Sequence, residues 1–137
     1  MKINSATEMI NLGEKIGRQL KAPAVLELTG DVGAGKTTFT KGVAKALGIK
    51  QEITSPSFTI SKRYKTADGE LIHYDFYRLD DPGLMVAELE EALDGNNIVI
   101  LEWANSVLGI LPEKTIRINF QILGENEREI KIEGMEL

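Results

Sequence analysis

Apolar residues recur with helical spacing in some segments of this chain and with strand spacing in others. Helices are predicted from the capping-box residues 5–8 to residue 21, at 36–47, at 83–93 and, as a short one, at 105–111. Strands are predicted at 24–29, 58–64, 70–74, 98–103, 115–122 and 128–133. Helical and strand segments therefore interleave along the chain, with turn residues between them.

A glycine-rich stretch joins the strand at 24–29 to the helix at 36–47. Residues 30–37 read Gly-Asp-Val-Gly-Ala-Gly-Lys-Thr and match the phosphate-binding P-loop pattern G-x-x-x-x-G-K-[ST] at every fixed position. Its glycines let the backbone approach a polyphosphate, Lys36 reaches the β- and γ-phosphates, and the Thr37 hydroxyl ligates Mg²⁺. The residues predicted to bind the nucleotide are Asp31, Val32, Gly33, Ala34, Gly35, Lys36, Thr37 and Thr38.

The order of the elements predicts an α/β fold. A strand, the P-loop and a helix follow one another as P-loop NTPases require. The continuous apolar run at 98–101 is typical of a buried parallel strand, whereas the turns at 66–69 and 124–126 predict antiparallel hairpins. We expect one P-loop NTPase domain over 1–137, with a mixed parallel and antiparallel central sheet flanked by helices.

A hydroxyl-rich turn follows the predicted P-loop helix. Thr54, Ser55 and Ser57 surround Pro56. In P-loop proteins the segment after the first helix often supplies a hydroxyl to Mg²⁺ or the γ-phosphate and changes conformation on hydrolysis. These three residues are therefore candidate switch residues, and an ordinary loop is the other interpretation.

Two carboxylates stand at the ends of predicted strands. Glu102 ends the apolar run at 98–101, which has the form of a Walker B strand, and ligands bind at the carboxyl ends of strands in open α/β sheets. Asp75 follows the strand at 70–74, where a carboxylate can reach Mg²⁺ or orient the attacking water. The alternatives are a structural hydrogen bond for Glu102 and a solvated carboxylate for Asp75. We expect Asp75, Glu102 and Lys36 to be catalytic, and Thr37, Glu102 and Asp75 to bind the metal.

Three residues beside these carboxylates have open roles. Trp103, the only tryptophan, is predicted to contact the nucleotide or a partner, with core packing as the alternative. Arg78 is predicted to contact a phosphate or a partner, with a surface ion pair as the alternative. His73, the only histidine, is more typical of a structural hydrogen-bonding group than of a base.

Charge and composition exclude several classes of protein. The net charge of −5 argues against a broad nucleic-acid surface, although basic residues cluster at 62–65. The absence of cysteine excludes disulfides and thiolate metal sites. The sequence contains neither an apolar run of about 18 residues nor a signal-peptide core. We expect a cytoplasmic protein that does not enter a membrane.

Four stretches together resemble the TsaE family of bacterial ATPases, which serve threonylcarbamoyladenosine (t6A) modification of tRNA. They are residues 30–38, the turn at 54–58, residues 73–79 (His-Tyr-Asp-Phe-Tyr-Arg-Leu) and residues 100–103 (Ile-Leu-Glu-Trp). The resemblance covers nearly the whole chain, and the last two stretches are more particular to this family than the P-loop. It implies an ATPase that uses ATP and Mg²⁺, releases ADP, docks onto a complex of TsaB and TsaD, and serves tRNA indirectly through that complex.

The resemblance also implies roles for single residues. Lys36 would match the phosphate lysine, Thr37 the Mg²⁺ hydroxyl, Asp75 and Glu102 the two carboxylates at the metal and attacking water, and Trp103 a tryptophan that matters for activity. Residues 54–57 would match the first switch. The chain departs from the family pattern at Ser57, where threonine is frequent, and at Asn105, where an acid is frequent.

Three other functions fit the P-loop less well. A small-molecule kinase usually carries an arginine-bearing lid, and the arginines at 18, 63, 78, 117 and 128 do not cluster as a lid would. A non-catalytic adaptor would lack the carboxylates Asp75 and Glu102. A GTPase would carry an [Asn/Thr]-Lys-x-Asp motif after the last core strand, and this sequence contains none there. ATP is expected mainly from the resemblance, and slow hydrolysis by the chain alone is expected because no arginine finger is evident.

Overall fold

The computed structural model describes residues 1–56, 61–77 and 83–137. The helices are α1 (Ala6–Gln19), α2 (Lys36–Ala46) and α3 (Leu84–Asp94), with a 3-10 helix at Ala104–Ile110. The strands are β1 (Lys2–Ile3), β2 (Ala24–Thr29), β3 (Ser61–Lys65), β4 (Glu70–Asp75), β5 (Ile98–Glu102), β6 (Ile116–Ile122) and β7 (Arg128–Glu133). In the part of the chain that is described, none of the helices is both long and apolar enough to span a lipid bilayer.

The described strands form one seven-stranded sheet in the order β1-β7-β6-β2-β5-β4-β3. The inner strands β6, β2, β5 and β4 are parallel neighbours. The pairs β3 with β4, β6 with β7 and β1 with β7 are antiparallel. The predicted mixed sheet is therefore confirmed. The edge strand β1 was not predicted, because two residues carry too little periodicity to indicate a strand.

Helix α1 begins at the predicted capping box. The Ser5 hydroxyl accepts a hydrogen bond from the Glu8 amide at 3.1 Å, and the Glu8 carboxylate accepts one from the Asn4 amide at 3.0 Å. These bonds satisfy amide groups at the helix entry that have no partner within the helix. Hydrogen bonds of local side chains thus mark the start of α1.

Helices α1 and α2 pack closely through glycines. A Cβ atom on Gly13 would lie 2.1 Å from the Phe39 carbonyl oxygen, and one on Gly42 would lie 2.1 Å from the Ile10 carbonyl oxygen. Any larger residue at either position would push the helices apart. Helix α1 therefore fixes the position of α2, which carries Lys36 at its first turn.

Two apolar layers enclose the sheet. On one face Leu26, Leu28 and Ile100 belong to the same cluster as Phe39 and Val43 of α2 and the buried residues of α1. On the opposite face Ile72, Tyr74, Val99 and Leu101 pack with Leu89 and Ala92 of α3 and with Val107 of the 3-10 helix. Both faces of β2, β5 and β4 are buried, which explains their largely apolar sequences, whereas β6 alternates between buried and more exposed residues.

The strand register brings three carboxyl ends together at one edge of the sheet. Leu28 of β2 lies opposite Glu102 of β5, which lies opposite Asp75 of β4. In the preceding row, Ile100 lies opposite His73. Since residues two positions apart share a face of a strand, His73, Asp75 and Glu102 all face the side on which α2 packs.

Candidate functional site

The P-loop follows β2 directly and adopts backbone conformations that favour glycine. The φ angles of Gly30, Gly33 and Gly35 are 143°, 84° and 104°. A Cβ atom on Gly30 would lie 2.4 Å from the Phe120 carbonyl oxygen, whereas one on Gly33 would meet no described atom within 4 Å. The loop therefore packs tightly against β6 at Gly30, whereas there is space for a side chain at Gly33.

The N-terminus of α2 lacks a side-chain cap. Gly35 is the N-cap residue, no side chain in the described part of the chain forms a cap hydrogen bond there, and the first turn contains no acidic residue. The first amide groups of a helix have no partner within the helix and carry partial positive charge. With the positive φ angles of the loop, this geometry suits an anion such as a phosphate.

Lys36 lies buried between the P-loop and the end of β5. Its side chain is 6 % exposed, and Nζ donates to the Gly30 carbonyl oxygen at 2.5 Å. The same ammonium lies 3.7 Å from Glu102 Oε1 and 4.4 Å from the ring centroid of Trp103. These contacts offset the cost of burying a cation.

Glu102 is a buried carboxylate with a different partner at each oxygen. Oε1 faces Lys36, and Oε2 lies 2.5 Å from His73 Nε2. His73 is completely buried, and its Nδ1 atom has no hydrogen-bond partner among the described residues. Because an ionised carboxylate only accepts hydrogen bonds, Nε2 of His73 is the donor in this contact.

Asp75 lies beside Glu102 with intermediate exposure. Its Oδ1 atom accepts a hydrogen bond from the Tyr77 amide at 2.9 Å. Burial raises the pKa of Asp75, and the charge of Glu102 adds to the rise, while the Tyr77 amide and Lys36 offset part of it. The site therefore brings two carboxylates together at one edge of the sheet. Glu102 is buried, whereas Asp75 is partly exposed.

Trp103 has a strained backbone and contacts Lys36. Its φ of 56° is the one positive φ of a non-glycine residue in the described ranges. The ring lies next to Tyr77, with centroids 4.8 Å apart and the planes at 57°. Such backbone strain costs about 1–3 kcal/mol and occurs most often at functional sites. The sequence predicts Trp103 near the nucleotide, and the structure positions it against the P-loop lysine.

The predicted switch residues are described only in part. Thr54 and Ser55 are exposed, and the Thr54 hydroxyl accepts a hydrogen bond from the Lys62 ammonium of β3. Ser57 and the predicted contact residue Arg78 lie outside the described residues. The switch role of Thr54, Ser55 and Ser57 and the contact role of Arg78 remain predictions.

Arg128 contacts the P-loop, which the sequence did not indicate. Its Nη2 atom donates to the Gly33 carbonyl oxygen at 3.2 Å. Its Nη1 atom donates to carbonyl oxygens of the β6–β7 turn at Gly124, Glu125 and Glu127. A side chain that binds only backbone carbonyls of a distant loop leaves no motif, so no sequence pattern would have identified it.

The oxygen donors at this edge fit Mg²⁺ bound together with a nucleotide. The described residues contain no group of three or more His, Cys, Asp or Glu side chains that would hold a metal ion by themselves. Mg²⁺ usually takes one or two carboxylates and completes its shell with water and substrate phosphates. Thr37, Asp75 and Glu102 supply a hydroxyl and two carboxylates, which is the donor set that such shared binding requires.

Comparison with known proteins gives a consistent family match. The family model described as "Threonylcarbamoyl adenosine biosynthesis protein TsaE" matches residues 3–130. The tRNA threonylcarbamoyladenosine biosynthesis protein TsaE of Bacillus subtilis is 43% identical over 106 residues, which are 77% of this chain and 66% of that protein. The protein of the same name from Treponema pallidum is 38% identical over 136 residues, covering 93% of this chain and 95% of the relative.

A solved structure has the same fold. The crystal structure of Bacillus subtilis YdiB superposes with a TM-score of 0.77 at 35% sequence identity. The match covers 95% of this chain and 80% of that one. The α/β architecture predicted from the order of elements is therefore also found in a crystallographic relative.

Proposed function

The chain belongs to the TsaE family, and from this membership and the site geometry we propose that it binds and hydrolyses ATP in support of threonylcarbamoyl transfer to adenosine in tRNA. The observation that carries the proposal is the buried contact between Lys36 and Glu102 beside the P-loop. A lysine at this position binds phosphate, and a carboxylate next to it can act on the water that attacks the γ-phosphate. Binding and hydrolysis then share one edge of the sheet.

The P-loop residues bind the triphosphate in this proposal. The backbone amides at Gly33 and at the uncapped start of α2 donate hydrogen bonds to the phosphate oxygens. Lys36 exchanges its contact with the Gly30 carbonyl oxygen for the β- and γ-phosphates, since a phosphate oxygen is the stronger acceptor for an ammonium. Trp103 packs over the same ammonium and excludes water from it.

Mg²⁺ would be held by the Thr37 hydroxyl and by Glu102, with Asp75 beside it, and would supply positive charge to the transferring phosphoryl group. The Glu102 carboxylate lies at the carboxyl end of β5, where the attacking water approaches. Asp75 keeps its carboxylate oriented through the Tyr77 amide. These residues orient the reacting groups at the carboxyl edge of the sheet.

A complex of TsaB and TsaD is the partner that the family resemblance implies. We expect slow hydrolysis by the isolated chain, because no arginine finger is evident in its sequence. Docking then supplies or orders the missing group, as activating partners do for other P-loop NTPases. The chain acts on tRNA only through that complex.

Phosphate release from ATP tests the proposal. We expect slow release by the purified chain and faster release when purified TsaB and TsaD are added together. A parallel screen with small-molecule acceptors and labelled γ-phosphate checks for kinase activity. Acceptor phosphorylation with no response to TsaB and TsaD would replace the ATPase with a small-molecule kinase.

A further inference from the structure

We propose that His73 is a positioning residue that holds the Glu102 carboxylate in the orientation used for hydrolysis. The inference rests on the proposed function in one respect, namely that Glu102 acts on the attacking water. The sequence context of His73 indicates only a structural hydrogen bond. In the proposed role, that hydrogen bond fixes the direction in which the Glu102 carboxylate faces the attacking water.

The strand register fixes the distance between the two side chains. His73 lies opposite Ile100, and Glu102 is two residues further along β5 on the same face. The imidazole therefore reaches diagonally across the strand pair to Oε2, where the separation is 2.5 Å. Both residues are on regular strands, so the contact is set by the sheet rather than by a loop.

The surroundings of His73 give the imidazole no other described polar role. His73 is completely buried in a face whose other members include Leu71, Ile98 and Ile100. Its Nδ1 atom has no partner within the described ranges. An apolar side chain would satisfy the packing of this layer without burying an unpartnered nitrogen. The contact with Glu102 is the interaction that explains a histidine here.

Holding Oε2 controls where Oε1 points. With Oε2 bound to Nε2, Oε1 lies 3.7 Å from Lys36 Nζ, which is longer than a hydrogen bond. Without the imidazole, the carboxylate is free to rotate and to form a close ion pair with Lys36. That rotation would turn Oε1 away from the attacking water, while the phosphates of bound ATP still take Lys36 from the carboxylate. His73 thus keeps Glu102 near Lys36 while leaving Oε1 available.

Kinetics of three variants distinguish positioning from packing. His73→Leu removes the donor, whereas the side-chain amide of His73→Gln supplies a donor near the former Nε2 position. Ile72→Val is the control, because Ile72 is a buried neighbour on the opposite face of β4. We expect His73→Leu to lower kcat about 10- to 100-fold, the usual effect of losing a residue that orients a ligand carboxylate. KM for ATP and the Kd of a fluorescent ATP analogue should change by less than about threefold, since the donor does not touch the phosphates.

The conservative variant and the control complete the kinetic test. His73→Gln should recover most of the kcat lost in His73→Leu, and Ile72→Val should lower Tm without lowering kcat. Equal kcat in the wild type and in a folded His73→Leu variant would overturn the proposal. A loss of kcat that is as large in His73→Gln as in His73→Leu, and that follows Tm in all three variants, would also overturn the proposal, since that pattern indicates packing alone.

The single histidine allows a second test that needs no ATP. Long-range ¹H–¹⁵N NMR spectra of the ¹⁵N-labelled chain report on one imidazole only, because His73 is the sole histidine. We expect a protonated Nε2 whose proton exchanges slowly with water, and a clear change in its signal in Glu102→Ala. A spectrum with an unprotonated Nε2 would contradict the contact. If the NMR signature is present but the wild type hydrolyses no ATP even with TsaB and TsaD, the proposed function fails while the His73–Glu102 contact stands.

Discussion

Nζ of Lys36 and Oε1 of Glu102 lie 3.7 Å apart, and both side chains are 6 % exposed. Each group has a second polar partner, because Lys36 also donates to the Gly30 carbonyl oxygen and Glu102 also accepts from His73. Buried charges persist only when they are paired or bound to a ligand. The relationship joins the P-loop to the carboxyl end of β5 and brings the group proposed to bind phosphate into direct electrostatic contact with the group proposed to act in hydrolysis.

Replacing the P-loop lysine should weaken triphosphate binding. Lys36→Ala removes the cation that reaches the β- and γ-phosphates, and hydrogen bonds to charged groups contribute about 1.5–3 kcal/mol, or roughly 10- to 100-fold in Kd. Titration with a fluorescent ATP analogue measures the effect. Lys41→Ala is the matched control, because Lys41 lies on the same helix and is exposed. Equal nucleotide affinity for Lys36→Ala and the wild type would exclude the P-loop assignment.

Removing the charge of Asp75 should stabilise the fold at neutral pH. Burial raises the pKa of Asp75 in the folded chain, and the charge of Glu102 raises it further. A raised folded-state pKa means that stability is greatest below the unfolded value of about 3.9 and is lost as pH rises through the folded pKa. Asp75→Asn keeps an oxygen for the Tyr77 amide and carries no charge, so Tm should rise at pH 7 and the gain should shrink as the pH approaches about 4.

Thermal unfolding without nucleotide or Mg²⁺ checks the Asp75 prediction. Asp68→Asn serves as the control, because Asp68 is an exposed carboxylate in the β3–β4 turn. The control should show little change in Tm at either pH. A lower Tm for Asp75→Asn at pH 7 would mean that the carboxylate stabilises the folded chain, against the direction of its pKa.

Two glycines of the P-loop should differ in their tolerance of a methyl group. Gly30→Ala would place Cβ 2.4 Å from the Phe120 carbonyl oxygen at a φ of 143°, so both a steric clash and backbone strain result. Gly33→Ala adds strain at φ 84° but meets no described atom within 4 Å. We expect free energies of unfolding lower by more than about 2 kcal/mol for Gly30→Ala and by about 1 kcal/mol for Gly33→Ala. Urea unfolding measures both, and the reverse order would show that β6 does not constrain the loop.

Local patterns predicted most of the fold. The bounds of β2 and β7 match the predicted 24–29 and 128–133, because an apolar run and a strict alternation are each unambiguous over six residues. Strand β1 has only two residues and is defined by its pairing with β7, which lies at the other end of the chain. The periodicity of a segment does not indicate which distant segment it pairs with.

Side-chain contacts across the sheet could not be predicted from the sequence. The chain pattern puts Glu102 at the end of a strand but does not say which side chain of the neighbouring strand it meets, since a shift of one residue in register would replace His73 with another neighbour. Arg128 reaches Gly33 across 95 positions of sequence through a backbone carbonyl. Contacts of this kind depend on the completed fold and on rotamers, and neither leaves a motif.

The exchange of Glu102 for glutamine separates nucleotide binding from hydrolysis. Glu102→Gln retains the shape of the side chain and an oxygen that can accept from His73, but removes the negative charge. We expect ATP affinity within about threefold of the wild type and a rate of hydrolysis lower by at least about 100-fold, the scale of a lost acid–base group. The control is Glu27→Gln, because Glu27 is a buried carboxylate on β2 that pairs with Arg117 at 3.3 Å.

Single-turnover hydrolysis of γ-labelled ATP by the wild type, Glu102→Gln and Glu27→Gln, each with TsaB and TsaD present, is the most direct test that Glu102 converts binding into hydrolysis. We expect phosphate release by the wild type and Glu27→Gln, and bound but intact ATP in Glu102→Gln. Release by Glu102→Gln at the wild-type rate would contradict this expectation and would move the hydrolytic role to another residue.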